Sequence, residues 1–398
     1  MTKTILFISP FFYPEPISTG KYNTLLARAL VDAGYRVLCC SSVPIYPNWI
    51  PTPTDERLPG MEIYRRGARV RYPRPAIGRR FVLETWFAFH ALLTALQLKG
   101  RYSTVVAVFP PSLFFYVLTK ILSRGVTKVG IVHDLQGVLG LDGTGIVKRV
   151  LAKVIKHVES VGFNACDHLI CLSEGMKTRI LEDYAVSPAK CSVHYPFAMD
   201  ASTFSTGNRL SHFFLPGYKH VVYSGALGEK QDPFNLLSAL QSLVRIRTDV
   251  ICHVFSRGPL FNELQKSLAP EMQNRVLFHD LVDESDLYEL YARSDIQLIP
   301  QKTGTSDGAF PSKLPNLLAA GVPVFAITDK GSELELLLRK SGTCCSVTTW
   351  DYREVIPEIS NFINRSSLMT HQERAIQTSG FVAEHFSIQK LVRQIIEN

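Results

Sequence analysis

The sequence predicts an α/β protein made of two doubly wound, Rossmann-like domains facing each other across a cleft, and three observations carry that prediction. Short apolar, β-branched runs alternate with helical patterns from end to end. The runs are continuously apolar, as strands covered on both faces are. The alternation also comes in two series separated by a break near residues 196–218.

In the first series, Thr4–Ser9 reads as a strand and Lys21–Ala33 as a helix ending at Gly34. Strands follow at Arg36–Cys40, Thr104–Phe109, Lys128–Val132 and His168–Leu172, with helical stretches around 83–99, 112–123 and 145–164. The second series places strands at His220–Ser224, Val250–Phe255, Arg275–His279, Ile296–Pro300 and Val322–Ile327. Its helices fall at Pro233–Ile246, Leu260–Leu268, Glu284–Ala292 and Ser312–Ala320. The expected organisation is a domain over 1–196, a second over 197–375, and a helical tail over 376–398 packing back on the first.

Composition sets outer bounds. With 398 residues, 46% hydrophobic and 20% charged, the chain has material for two cores and is unlike a disordered or collagenous chain. Eight cysteines form no C-x-x-C and read as neither a disulfide framework nor a zinc site, which fits a reducing, cytoplasmic setting. The start, MTKTILFISPFF, reads as a buried strand rather than a signal peptide. The apolar stretches Phe81–Leu98 and Val105–Leu122 are interrupted by polar residues or proline, short of the ~20 apolar residues a spanning helix needs.

Net charge is +8, and it is unevenly spread. Between Glu62 and Glu84 stand Arg65, Arg66, Arg69, Arg71, Arg74, Arg79 and Arg80, interleaved with aromatics, proline and glycine and with no acid among them. Read as one basic loop, the segment suits an anionic partner such as a phospholipid surface or a lipid-linked pyrophosphate; the plainer alternative is a solvated loop. Nucleic acid is not expected, because no helix-turn-helix, zinc-finger or RNA-binding signature accompanies it.

Doubly wound domains bind ligands at the carboxyl ends of their strands. Thr19-Gly20 follows the first strand and opens a helix, an arrangement that admits an anion but is not the G-x-G-x-x-G of a dinucleotide site. Lys230 stands at a strand–helix junction after a glycine-bearing loop and can reach a phosphate oxygen. In QKTGTSDGAFPSKLPNLLAAGVPVFA, Ser312 is expected to cap a short helix closing at Gly321. Hydroxyl, Lys313 and free N–H groups would there cradle a pyrophosphate, with Asn316 a turn further on. His133, ending a strand beside Asp134, can donate to a sugar hydroxyl or to developing charge. Each feature also has a plain structural reading as a turn, a surface lysine, a capped helix or a core histidine. No G-x-S-x-G, H-E-x-x-H or P-loop occurs, which removes the hydrolase, zinc-protease and NTPase readings.

The ordered set PEPISTGKY (14–22), IYPNW (45–49), His133-Asp134, YSGALGEKQ (223–231), RGPL (257–260) and PSKLPNLLAAGVPV (311–324) resembles the family-4 retaining glycosyltransferases of GT-B fold, especially the bacterial enzymes of colanic-acid and O-antigen assembly. The resemblance implies a nucleotide-diphospho-sugar donor, GDP- or UDP-linked, held mainly by the second domain. It implies a saccharide acceptor, polyprenyl-diphosphate-linked, held by the first. By position, Thr19 and Gly20 would pack against the diphosphate; Gly225, Lys230, Gly258, Ser312 and Lys313 would line the donor site; Asn316 would approach the ribose, His133 the transferred sugar, and Phe278 and Leu281 the base. Where most of the wider family carries two glutamates, this chain has Gly308 and Asn316, and Asp307 is expected to take the sugar-facing role. His133, Asp307, Lys230 and Lys313 are thus the expected catalytic set. Neither cofactor nor metal is implied, since cations and helix starts would neutralise the leaving diphosphate. The expected location is the inner face of the cytoplasmic membrane, with the arginines on the acceptor and lipid side. The rivals are a non-catalytic nucleotide-sugar-binding module and a GT-B-fold sugar-nucleotide epimerase.

Overall fold

The structure, a computed structural model, describes residues 3–15, 17–122, 124–135, 146–199, 207–306 and 310–397. They form two compact units: residues 1–195 with 388–398, and residues 196–387. The chain returns to the first unit only at Ile388, so the expected tail splits, and residues 376–387 belong to the second unit.

Unit 1 runs β1 (Thr4–Ile8), α1 (Ser18–Asp32), β2 (Arg36–Ser42), β3 (Met61–Arg66), α2 (Ala76–Gln97), β4 (Thr104–Phe109), α3 (Leu113–Leu118), β5 (Thr127–Val132), α4 (Ile146–Ala165), β6 (His168–Cys171), α5 (Glu174–Tyr184) and β7 (Cys191–Val193). Its sheet is parallel, in the order β3-β2-β1-β4-β5-β6-β7. The central strands are continuously buried because helices cover both faces; Phe109 of β4 packs among Phe114, Phe115 and Phe163 from α3 and α4.

Unit 2 runs β8 (Lys219–Ser224), α6 (Pro233–Ile246), β9 (Val250–Phe255), α7 (Pro259–Lys266), β10 (Val276–His279), α8 (Leu287–Arg293), β11 (Ile296–Pro300), α9 (Leu314–Ala319), β12 (Val324–Ile327), α10 (Glu333–Ser341), β13 (Cys345–Val347), α11 (Tyr352–Ser366) and α12 (His371–His385). Its sheet is again parallel, in the order β10-β9-β8-β11-β12-β13. The last helix, α13 (Ile388–Ile396), packs on α1 in unit 1. Strand order reverses between β1 and β4 in one unit and between β8 and β11 in the other, and these switch points are where open α/β sheets hold ligands.

His220, His253 and His279, on the neighbouring strands β8, β9 and β10, form a hydrogen-bonded row. His220 Nε2 donates to the Leu215 carbonyl at 3.0 Å. Its Nδ1 therefore accepts from His253 Nε2 at 2.9 Å, and His253 Nδ1 in turn accepts from His279 Nε2 at 3.0 Å. Burial, with the other imidazoles adding to it, drives His253 down to about 2; burial and His212 bring His279 to about 4. The row is neutral at physiological pH.

Candidate functional site

The carboxyl edge of unit 2 gathers several of the expected residues at the β8/β11 switch point. Lys313 Nζ donates to the carbonyls of Ser224, ending β8, at 3.1 Å and of Leu298 in β11 at 2.8 Å, and lies 4.8 Å from the centre of the Tyr223 ring. This enclosure strips water from the ammonium and lowers its pKa to about 7. Gly225 follows at a φ of +134°, a conformation that suits glycine, and its N–H donates to Phe255 O at 3.0 Å. The exposed Lys230 is fixed by its backbone, whose carbonyl accepts from the Lys302 N–H at 2.8 Å.

Sequence reasoning missed what holds the loop after β11. Asp329, two residues past the end of β12, accepts from Gly304 N at 2.9 and 3.0 Å, from Ser306 N at 3.2 Å and from Ser306 Oγ at 2.6 Å. The Ser306 hydroxyl and these N–H groups hold its carboxyl below the usual range. The signal available in the sequence was its place at a strand's carboxyl end.

One expectation for this edge changes, the helix cap at Ser312. Ser312 is exposed and is not a helix cap: α9 begins at Leu314, with Lys313 at the N-cap position and no side-chain cap bond. Asn316 is engaged locally, its Oδ1 accepting from the Met199 N–H at 2.8 Å. Phe278 packs edge-on to Phe261 at 5.5 Å and against the core, while Leu281 takes its N–H to Asp280 Oδ1 at 2.8 Å. Gly258, at a φ of +113°, precedes α7 on the neighbouring strand end. Asp307 and Gly308 lie outside the described residues.

In unit 1, Thr19 and Gly20 sit in the first turn of α1. Gly20 has a local reason to be glycine, since a Cβ there would come within 3.0 Å of Glu15 Cβ and Glu15 O. His133, directly after β5, gives its N–H to Phe109 O at 2.8 Å. Burial lowers its imidazole to about 4, so at neutral pH it offers a hydrogen bond rather than a charge. The arginines are not one loop. Arg65 and Arg66 end β3, and Arg65 is pinned to the carbonyls of Glu56 and Tyr13, both at 2.7 Å. Arg69, Arg71 and Arg74 occupy the exposed connection, while Arg79 and Arg80 lie in the first turns of α2. Among the described residues no group of three or more His, Cys, Asp or Glu side chains is placed to hold a metal, and no helix is long and apolar enough to cross a membrane.

Two family models match in tandem: Glycosyltransferase Family 4 over residues 19–198 and Glycosyl transferases group 1 over residues 208–378. The chain belongs to the family-4 glycosyltransferases. A curated relative, the colanic acid biosynthesis glycosyl transferase WcaI of Escherichia coli, is 25% identical over 336 residues, covering 78% of this chain and 79% of its own length. Among solved structures, sucrose-phosphate synthase from Thermosynechococcus elongatus aligns with a TM-score of 0.73 at 16% identity, over 99% of this chain and 98% of that one. HepE of Anabaena, solved in complex with UDP, aligns with a TM-score of 0.65 at 15% identity, over 100% and 99%. The lipopolysaccharide glycosyltransferase WaaG aligns with a TM-score of 0.69 at 13% identity, over 99% and 100%. These likenesses show the GT-B fold of two Rossmann-like α/β domains in this family-4 chain. The two family models make it a glycosyltransferase.

Proposed function

We propose that the chain transfers a hexosyl or deoxyhexosyl unit, with retention, from a nucleotide-diphospho-sugar held by unit 2 to a polyprenyl-diphosphate-linked saccharide held by unit 1. The observation that carries this reading is the Lys313 amine held at the β8/β11 switch point, beside the exposed Lys230 whose backbone is tied to Lys302. A departing nucleoside diphosphate gains charge as the glycosidic bond breaks, and fixed cations stabilise that charge more in the transition state than in the ground state. The leaving phosphate then takes the acceptor hydroxyl's proton on the same face, so no separate nucleophile is needed. Neutral His133 donates to a hydroxyl of the transferred sugar. HepE, solved with UDP and glucose, makes a UDP-linked donor a natural first test.

The acceptor reading places unit 1 on an anionic inner-membrane surface. Ile77 and Phe81, on adjacent turns of α2, are 64% and 65% exposed, beside Arg74 and Arg80. Val150 and Val154 of α4 are exposed next to Arg149 and Lys153. Apolar side chains among cations that form no ion pair with the described residues fit lipid headgroups over acyl chains. Thermal-shift measurements with UDP-, GDP- and dTDP-sugars, followed by transfer to a polyprenyl-diphosphate saccharide with the anomeric configuration read by NMR, test the reading. Stabilisation by a nucleotide sugar and a retained anomer are expected; no response to any of them overturns it.

A further inference from the structure

The loop after β2, residues 43–50, is built with unusual care for a surface segment of unit 1. Glu15 is 3% exposed, yet both its carboxylate oxygens are spent on this loop: Oε2 accepts from Ile45 N at 2.9 Å and Oε1 from Tyr46 N at 2.7 Å. Burying a carboxylate is costly, and its desolvation raises the Glu15 pKa. The segment it holds runs from core to surface: Ile45 is buried in the unit 1 core, and beyond it the chain opens to solvent. Tyr46 is 46% exposed, and Trp49 is a half-buried indole at a φ of +58°, a left-handed conformation that is an outlier for a bulky residue. Tyr72 meets the Trp49 ring edge-on at 5.3 Å and is itself fixed by Trp86, whose Nε1 donates to its hydroxyl at 2.7 Å. The Arg79 guanidinium lies 5.0 Å from the centre of the Trp49 ring. Among the described residues it has no carboxylate partner, and its buried Nε has no hydrogen-bond acceptor. Indole, phenol and an uncommitted guanidinium thus converge at the carboxyl edge of the unit 1 sheet. The apolar C–H face of a sugar ring packs on aromatic surface, and a guanidinium takes a carboxylate or phosphate through two parallel hydrogen bonds.

We propose that Trp49, Tyr72 and Arg79 form a platform for an acidic sugar residue of the acceptor, one bearing a carboxylate or a phosphate. The proposal rests on the reading of unit 1 as the acceptor side, but its test needs neither donor nor turnover. The chain has 3 tryptophans, so fluorine NMR of the full chain labelled with 5-fluorotryptophan gives a small, assignable spectrum. Trp49→Phe assigns the Trp49 resonance; if that variant does not fold, Trp86→Phe and Trp350→Phe assign it by elimination. Glucuronate, glucose 1-phosphate, glucose and inorganic phosphate are titrated in turn. The expected result is a saturable shift at Trp49 with glucuronate or glucose 1-phosphate, half-complete at a concentration about tenfold lower than with glucose. Inorganic phosphate leaves the resonance unmoved, and the relative response to the two acids says which anion the platform prefers. Arg79→Gln removes about tenfold of that affinity with the melting temperature unchanged. No saturable shift, an equal response to glucose, an equal response to inorganic phosphate, or indifference to Arg79→Gln each overturns the platform. None of these outcomes bears on whether nucleotide sugars bind unit 2.

Discussion

The two units share a strand plan and differ at their carboxyl edges. In unit 2 the edge is lined by short, cationic and glycine-bearing segments: Gly225, Lys230, the Asp329-held loop and Lys313. In unit 1 it is aromatic and guanidinium-rich, with a buried carboxylate bracing an exposed loop and a neutral His133. The first composition suits a diphosphate, which wants compact charge and close backbone approach; the second suits sugar rings with sparse charge. A doubled fold can take two unlike substrates because loops carry the chemistry and the sheets only aim them.

The sharpest way to break this contrast is to remove the lysines of the unit 2 edge one at a time. Lys230→Ala should lower kcat/KM by about 100-fold or more through lost leaving-group stabilisation, with the melting temperature unmoved because the side chain is exposed. Lys313→Ala should lose at least as much turnover and also destabilise unit 2 by about 1–3 kcal/mol, since the Ser224 and Leu298 carbonyls lose their donor. Near-normal rates in both would put the diphosphate elsewhere. Next in size, Arg69, Arg71 and Arg74 replaced together by glutamine should weaken partition onto anionic liposomes by about 100-fold, at ~1 kcal/mol per residue, and leave nucleotide-sugar binding alone. Arg65, pinned to two carbonyls, is a poor choice for that experiment.

Asp329→Asn should raise the donor KM by about tenfold while sparing kcat, because the loop keeps its shape but loses charge-assisted anchoring. An equal fall in kcat would give Asp329 a direct part in the chemistry. The Lys313 pKa of about 7 sharpens the contrast further: its ammonium form dominates below that pH and a diphosphate favours it. Donor affinity should therefore decline as pH rises through 7, with proton uptake on binding visible by calorimetry in buffers of different ionisation enthalpy. The smallest effect concerns stability. The histidine row has folded pKa values below the free value of about 6.5, so the stability of its neutral form is present above that pH. It is lost as pH falls from about 6.5 toward the His279 value of about 4. Amide exchange in β8–β10 should accelerate over that window, and His253→Phe should blunt the change.

Most strands were legible because they are interior. The strands the pattern passed over, β3, β7 and β13, all lie at sheet edges, where MEIYRR and two three-residue segments carry no continuous apolar run. The basic segment was likewise read as one loop because its arginines hid the half-buried alternation of β3 and the start of α2. At the site, residue types clustered in sequence could be seen, so Lys230 and Lys313 stood out. Glu15 and Asp329 did not, because each carboxylate serves backbone N–H groups some 23 to 31 positions away. Nothing in the sequence around Asn316 signals that its amide turns to Met199, a partner 117 positions distant.

The most direct test of the central claim is hydrogen–deuterium exchange of the full chain with and without UDP or GDP. The account predicts protection in residues 224–232 and 302–314 of unit 2, abolished by Lys230→Ala. Protection confined to unit 1, at residues 10–20 or 43–50 with the unit 2 segments unchanged, would contradict it.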